Sequence, residues 1–279
     1  MFKNLKMKTS LTSAITVLTI ICITILYIST QTGMTKLMKK SAQDSMKTSL
    51  NSQTTLISEY VSHQEDLLKK FSISPIIIDY LKDLNNKDKQ LKAQQFTENY
   101  FKGLDNWEGI YSGEWNTHVV THSNPKVVGM TTRKGDSLKA LQNAMKENNG
   151  LYNAGIIVSP ASQKLILSMY CPVYDTDGST IVGYVGGGPY MEKLERLLNE
   201  TKKNGKKSIQ YSMLNVSSKM YIFDDEDTSL ITKEATDKGI LNVINDIEKS
   251  KKNTNDAFTY KNSNNTSYVM SYQYDKEHD

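Results

Sequence analysis

From Thr9 to Thr35 the chain carries no charged residue. Within that stretch Leu11 to Ile28 reads LTSAITVLTIICITILYI, which at 1.5 Å per residue spans about 27 Å, enough for a bilayer's hydrocarbon core. Lys3, Lys6 and Lys8 precede it, which predicts a cytoplasmic N-terminus. A cleaved signal peptide has a shorter apolar run and an A-x-A-like site, and Ser29-Thr30-Gln31-Thr32 offers none. The pattern predicts a cytoplasmic segment (1–10), an uncleaved transmembrane helix (11–34) and an extracytoplasmic remainder at the cell membrane.

Residues 35–71 contain no proline or glycine. Met46, Leu50, Ile57, Tyr60, Leu67 and Phe71 recur at helical steps, with Thr54 polar in the gap, so the segment reads as one long amphipathic helix. Its apolar stripe suits packing on its own domain, and equally suits pairing with a second copy in a homodimer. A helix rising from a membrane span can couple an outer domain to the bilayer.

Ser74-Pro75 breaks this helix. Short helices are expected at 76–84 and 91–101. The texture then changes to β-branched and aromatic residues at 109–111, 117–121, 155–159, 164–174 and 180–187, which read as strands. Asp175-Thr176-Asp177-Gly178 is a hairpin turn, because Asp-Gly tolerates positive φ. A helix over 136–147, N-capped by Asp136, separates the second and third strands, with Leu138, Leu141 and Met145 on its inner face. After a helix at 191–201 and a basic linker at 202–207, a shorter copy of the same order follows. It has a strand at 219–224, an acidic turn, a helix at 237–249, and strands at 257–260 and 267–274 across Asn262-Ser263-Asn264-Asn265. The fold class is α+β: two tandem PAS-like antiparallel-sheet lobes (72–201 and 202–279), the second incomplete.

Composition narrows the function. A net charge of +4 over 279 residues argues against a nucleic-acid binder. Two cysteines, one of them (Cys22) inside the apolar run, exclude a disulfide scaffold and a cysteine-rich zinc module. Sixteen tyrosines against six phenylalanines point to many half-buried rings with wet hydroxyls. No H-E-x-x-H, G-x-S-x-G or P-loop pattern occurs, no cysteine has an activating setting, and the expectation is a protein that is not an enzyme and needs no cofactor or metal. Asp224, Asp225, Glu226 and Asp227 lack the spacing of a calcium loop and read as a solvated turn. Asn199-Glu200-Thr201 and Asn215-Val216-Ser217 match glycosylation acceptors at the rate chance allows in such a chain.

An anchor, a long helix and two strand-rich lobes in this order resemble the double Cache sensor domain of bacterial methyl-accepting chemotaxis proteins. The likeness is carried by Thr121 to Gly129 (THSNPKVVG), by Ser168 to Asp175 (SMYCPVYD) with Gly178 and Gly183 to Gly187 (GYVGG), and by Tyr221 to Asp224 and Tyr268 to Tyr272. It implies extracytoplasmic small-molecule sensing in the membrane-distal first lobe, with helix movement carrying the signal inward to chemotaxis output. A histidine kinase or cyclase sensor and a membrane-tethered protein-binding scaffold are the alternatives. It also implies a final strand, a second span and a cytoplasmic region beyond Asp279, so the second lobe is expected to be the less stable. Amino-acid-binding members of the family carry Arg-x-Trp-Tyr and a strand-closing Asp, which clamp a carboxylate and an ammonium. Here Arg133-Lys134-Gly135-Asp136 lacks the Trp-Tyr pair, and Gly188 stands where the Asp would be. This argues against an α-amino acid and leaves a carboxylate without an amine.

A pocket between the first sheet and its inserted helix would be lined by alternate strand residues. Ser168 and Tyr170 share one face, and Tyr111, Trp115, His122 and Arg133 lie on the facing strands and loop. Each has a plainer alternative: sheet packing for Tyr111 and Tyr170, a sheet cap for Trp115, a hydrogen bond within its own turn for His122, and a surface pair with Asp136 for Arg133.

Overall fold

The computed structural model describes residues 2–147, 150–203, 209–250, 252–253, 257–261, 265 and 267–276. The chain divides into two units, Met1–Leu50 and Asn51–Asp279. The first element, α1 (Phe2–Ser72), supplies nearly all of the first unit. There its large apolar side chains from Leu11 to Met38, with Leu18, Ile23 and Leu26 among them, are exposed, and the helix is long and apolar enough to cross a membrane. Its threonines suit an apolar surrounding. Thr16, Thr19 and Thr24 donate to the carbonyls four residues back at 2.9, 2.9 and 2.8 Å, so these hydroxyls do not depend on water.

In the second unit the end of α1 buries Gln53, Tyr60, Val61, Gln64, Leu68 and Phe71. The stripe keeps the helical period but differs in membership from the expected one. Leu68 is fully buried and Leu67 only half-buried, and two glutamines face inward. Gln64 is there because the Trp107 indole N–H donates to its Oε1 at 2.8 Å, so both buried polar groups are satisfied. Phe71 packs on Phe96 and Tyr100 at ring distances of 5.8 and 5.1 Å. The Tyr100 hydroxyl donates to the Leu67 carbonyl. Two short helices follow: α2 (Pro75–Lys82), with proline in its first turn, and α3 (Lys87–Lys102), capped by the Asn86 side chain on two backbone N–H groups.

Five strands, β1 (Trp107–Gly113), β2 (Val119–His122), β3 (Tyr152–Val158), β4 (Leu165–Tyr174) and β5 (Ile181–Pro189), form an antiparallel sheet in the order β2-β1-β5-β4-β3. The β4–β5 turn matches its sequence signal. Gly178 has φ +70°, and the Asp177 carboxylate accepts the N–H groups of Ser179 and Thr180. One face of the sheet, with Ile110, Leu167, Met169 and Val185, packs on the core of α1, α2 and α3. α4 (Gly135–Glu147) lies between β2 and β3 in sequence and puts Leu141 and Met145 against Tyr170 and Tyr184.

Several boundaries differ from the sequence reading, three of them as follows. β2 begins at Val119 because Thr117 has φ +68° and closes a turn by donating its N–H to the Glu114 carbonyl. α4 begins at Gly135, so Asp136 sits inside its first turn instead of capping it. α5 (Glu192–Lys203) extends into the expected basic linker, whose residues 204–207 lie outside the described ones.

The second half adds β6 (Ser212–Leu214), too short to show in the sequence pattern, then β7 (Tyr221–Asp224), α6 (Lys238–Ser250), β8 (Phe258–Lys261) and β9 (Ser267–Met270). Among the described residues these strands form two separate two-stranded ladders, β6–β7 and β8–β9. β9 stops four residues short of the expected Tyr274, and of the expected turn only Asn265 is described. Val216, Ile244, Ile247 and Tyr272 make a small core of their own. The acidic run is a turn: Asp224 accepts the N–H groups of Glu226 and Asp227 and the Ser212 hydroxyl.

Candidate functional site

Strand register places a row of side chains across all five strands of the first sheet. Tyr152 on β3 faces Tyr170 on β4, Tyr170 faces Gly186 on β5, Gly186 faces Tyr111 on β1, and Tyr111 faces His122 on β2. The glycine in the central strand leaves a gap, and Tyr111 fills it by lying down. A Cβ placed on Gly186 would meet the Tyr111 hydroxyl at 2.6 Å. The next row repeats the device. Tyr184 faces Gly113, and a Cβ there would meet the Tyr184 ring at 2.6 Å. Two rings laid across two glycines give the sheet a flat aromatic floor under α4.

The aromatic groups contact one another in a chain. Tyr111 stacks on His122 at 5.4 Å and meets Tyr184 edge-on at 5.9 Å, and Tyr170 stacks on Tyr152 at 6.2 Å. Trp115, from the β1–β2 turn, packs on the same cluster. Its carbonyl accepts from Gln142 of α4, and the Lys146 ammonium lies 5.8 Å from its ring centre.

Arg133 enters this cage ahead of α4. Its backbone is clamped by Thr117, whose hydroxyl accepts the Arg133 N–H and donates to the Arg133 carbonyl, both at 3.0 Å. Thr117 is fully buried. The Arg133 guanidinium lies 5.6 Å from the centre of the Tyr170 ring and donates through Nη2 to the Tyr170 hydroxyl at 3.1 Å. That oxygen also accepts from Ser168 Oγ at 3.1 Å. The surface pair with Asp136 is replaced by this bond to a buried phenol. Burial is the largest single influence on Arg133 and opposes its charge, but the Tyr170 hydrogen bond together with the electrostatic influence of Tyr170, Tyr111 and Tyr152 outweighs it, and the pKa is raised so that the guanidinium stays charged.

Burial likewise raises both neighbouring phenols, Tyr111 well above its usual value and Tyr184 to about 12. Burial pushes His122 down to about 4, only partly offset by the charge of Glu108. Its Nδ1 accepts the Asn124 N–H at 2.8 Å, the within-turn bond its sequence context suggested, and its ring supports Tyr111 at the edge of the row.

The structure therefore brings Tyr111, Trp115, Arg133, Ser168 and Tyr170 together, with His122 at the edge. It adds Tyr152, Tyr184 and Thr117. The period of two along β5 puts Tyr184 on the same face as Gly186, a signal the pattern could have supplied, but nothing local marked Thr117, whose role depends on a turn bringing it back to Arg133. The groups that act electrostatically on Arg133, Tyr111 and Tyr184 are phenols, the guanidinium and the Thr132 hydroxyl, with no carboxylate among them. Position 188 has no room for one, because a Cβ there would meet the Leu167 carbonyl oxygen at 1.6 Å. Two cavities lie elsewhere. One of about 120 Å³ runs between Gly155 and Ile156 of β3 and Met220 and Tyr221 of the second half. An open groove of about 400 Å³ lies over Leu91, Gln94, Val120 and Pro125.

No protein-family model matches the sequence, and no curated protein sequence matches it. Solved structures do match. Methyl-accepting chemotaxis protein X superposes with a TM-score of 0.61 at 13% identity, covering 84% of this chain and 91% of that one. The sensor domain of the histidine kinase DctB of V. cholerae gives 0.59 at 11% identity, covering 82% and 91%. The sensory domain of the Campylobacter jejuni chemoreceptor Tlp3 with isoleucine bound gives 0.56 at 14% identity, covering 82% and 86%. At such identities the likeness is one of fold. This chain, with its long apolar helix and antiparallel sheet, has the fold of the double Cache sensor domains of chemoreceptors and histidine kinases.

Proposed function

We propose that this protein is a membrane-anchored extracytoplasmic sensor of a small carboxylate, bound in the cage beneath α4. The observation that carries this reading is the charged Arg133 guanidinium held on the Tyr170 hydroxyl in a cage whose neighbouring polar groups include phenols and the Ser168 and Thr132 hydroxyls. A planar fork of N–H donors suits a carboxylate. Without a carboxylate to neutralise it, the site favours an anion over a zwitterion. The similar structures include both a chemoreceptor and a kinase sensor, so the proposal is one of sensing and specifies no output.

Signalling in this reading is a population shift, bounded by the difference in ligand affinity between two arrangements. β3 is the path. Tyr152 faces the cage, and Asn153 beside it donates to Glu65 of α1 at 3.0 Å, next to a bulge at Gly155. The test uses the full chain in detergent, titrated calorimetrically with acetate, pyruvate and succinate. Wild type binds at least one, and Arg133→Ala binds none. If wild type binds none of the three, the reading falls. Asn153→Ala is expected to keep the affinity and lose the ligand-dependent change in spin-label distance along α1. An unchanged distance response in that variant would refute the β3 path.

A further inference from the structure

Arg133 and Tyr170 come from different parts of the first lobe. Arg133 stands in the loop ahead of α4, and Tyr170 stands on β4. Their bond, from Nη2 to the Tyr170 hydroxyl at 3.1 Å, ties that loop to the sheet. The same oxygen accepts from Ser168 Oγ at 3.1 Å. An oxygen that receives a guanidinium N–H and a hydroxyl O–H has the donor set that suits a carboxylate oxygen. The cage around it is packed. Tyr184 and Met145 are fully buried, Leu141 and Tyr170 are buried beside them, and Tyr111 lies across Gly186. A ligand therefore reaches the guanidinium by replacing the phenol on it.

Resting on the reading of the cage as a carboxylate site, we propose that Tyr170 is a built-in occupant of that site, whose hydroxyl holds Arg133 in the unliganded protein and is displaced by an incoming carboxylate. The exchange favours the anion, because a hydrogen bond between two charged groups is stronger than one from a guanidinium to a neutral phenol. Its cost is the phenol contact. The apparent affinity is the intrinsic one reduced by the fraction of molecules in which Tyr170 is off Arg133.

The exchange also supplies the two arrangements that sensing needs. Tyr170 stacks on Tyr152 of β3 at 6.2 Å, with the ring planes 20° apart. Asn153, next to Tyr152, donates to Glu65 of α1. A phenol that leaves Arg133 moves the ring on which Tyr152 rests, and so reaches the strand that is bonded to the long helix.

The test titrates the full chain in detergent with acetate, pyruvate and succinate, as wild type and as Tyr170→Phe, which keeps the ring and removes the competing oxygen. The variant is expected to bind whichever acid the wild type binds, and roughly tenfold more tightly, the worth of one hydrogen bond to the guanidinium. Without ligand it is expected to melt lower than wild type, because Arg133 and Ser168 lose their acceptor, and saturating acid is expected to narrow the gap. Equal or weaker binding by the variant would overturn the proposal, since Tyr170 would then be a bystander or a contact of the ligand. A second measurement does not depend on how the variant folds. 3-Fluorotyrosine placed at position 170 of the otherwise unaltered chain gives a fluorine resonance that is expected to shift over the same acid concentrations as the calorimetric titration. A resonance that saturating acid leaves in place would also overturn the proposal. Failure of the underlying reading looks different: no acid binds wild type, or Arg133→Ala leaves binding intact.

Discussion

Gly186→Ala tests the flat aromatic floor directly. The added Cβ would stand 2.6 Å from both Cζ and the hydroxyl oxygen of Tyr111, and 3.0 Å from Cε2. Carbon atoms in contact prefer about 3.5–4.0 Å, so the ring must lift by roughly 1 Å. It has little freedom to do so, because His122 stacks on it at 5.4 Å and Tyr184 meets it at 5.9 Å. Overpacking of a fitted site costs about 1–3 kcal/mol, and Gly186→Ala is expected in that range by urea unfolding of the full chain. The double-mutant cycle with Tyr111→Ala decides the cause. With the ring gone the clash is gone, so Gly186→Ala should then cost nothing, or stabilise slightly by restricting the unfolded chain. The lifted ring would also crowd the cage, so carboxylate affinity should fall in the single variant. Equal destabilisation by Gly186→Ala with and without the Tyr111 ring would refute the argument, because the cost would then come from the β5 backbone.

Thr117→Val is nearly isosteric and removes both bonds to the Arg133 backbone. It should cost about 1–3 kcal/mol of stability and weaken carboxylate binding, with calorimetry on the folded variant as the check. Gln64→Leu leaves the Trp107 indole N–H buried and unpaired, for a similar loss of about 1–3 kcal/mol, read by urea midpoint. His122 titrates near 4 when folded against an ordinary 6.5, so between those values the unfolded chain holds a proton that the folded chain does not. Its contribution is fully present above pH 6.5 and is lost as pH falls towards 4. His122→Gln should flatten that part of the stability profile, and superimposable slopes would contradict it. Amide exchange should be slowest in β4 and β5, which are paired on both sides, and faster in the β8–β9 ladder, where Tyr268 and Val269 are exposed.

The chain's own pattern decided the elements whose cause is local. Eighteen uncharged residues from Leu11 to Ile28 make a helix that suits a bilayer whatever follows. Asp177-Gly178 makes a turn because glycine accepts φ +70° and the carboxylate can bond to the next N–H groups. The period of two put Ser168 and Tyr170 on one face, and they share a hydrogen bond there. What the tertiary structure alone decided is how distant segments meet. Thr117 read as the start of a strand, and only the turn that gives it φ +68° lets its hydroxyl hold Arg133, sixteen residues on. Gln64 breaks an apolar stripe without apparent reason until Trp107 arrives, 43 residues later, to bond with it. Arg133 had a charged neighbour close in sequence, but the fold gave it a buried phenol, because a paired guanidinium with its stem packed on a ring is worth more than an exposed ion pair. The five-strand row that makes the cage depends on register, which within that row pairs Tyr111 with Gly186, 75 positions apart. No local pattern fixes which tyrosine lies over which glycine, because that choice is made by packing across strands.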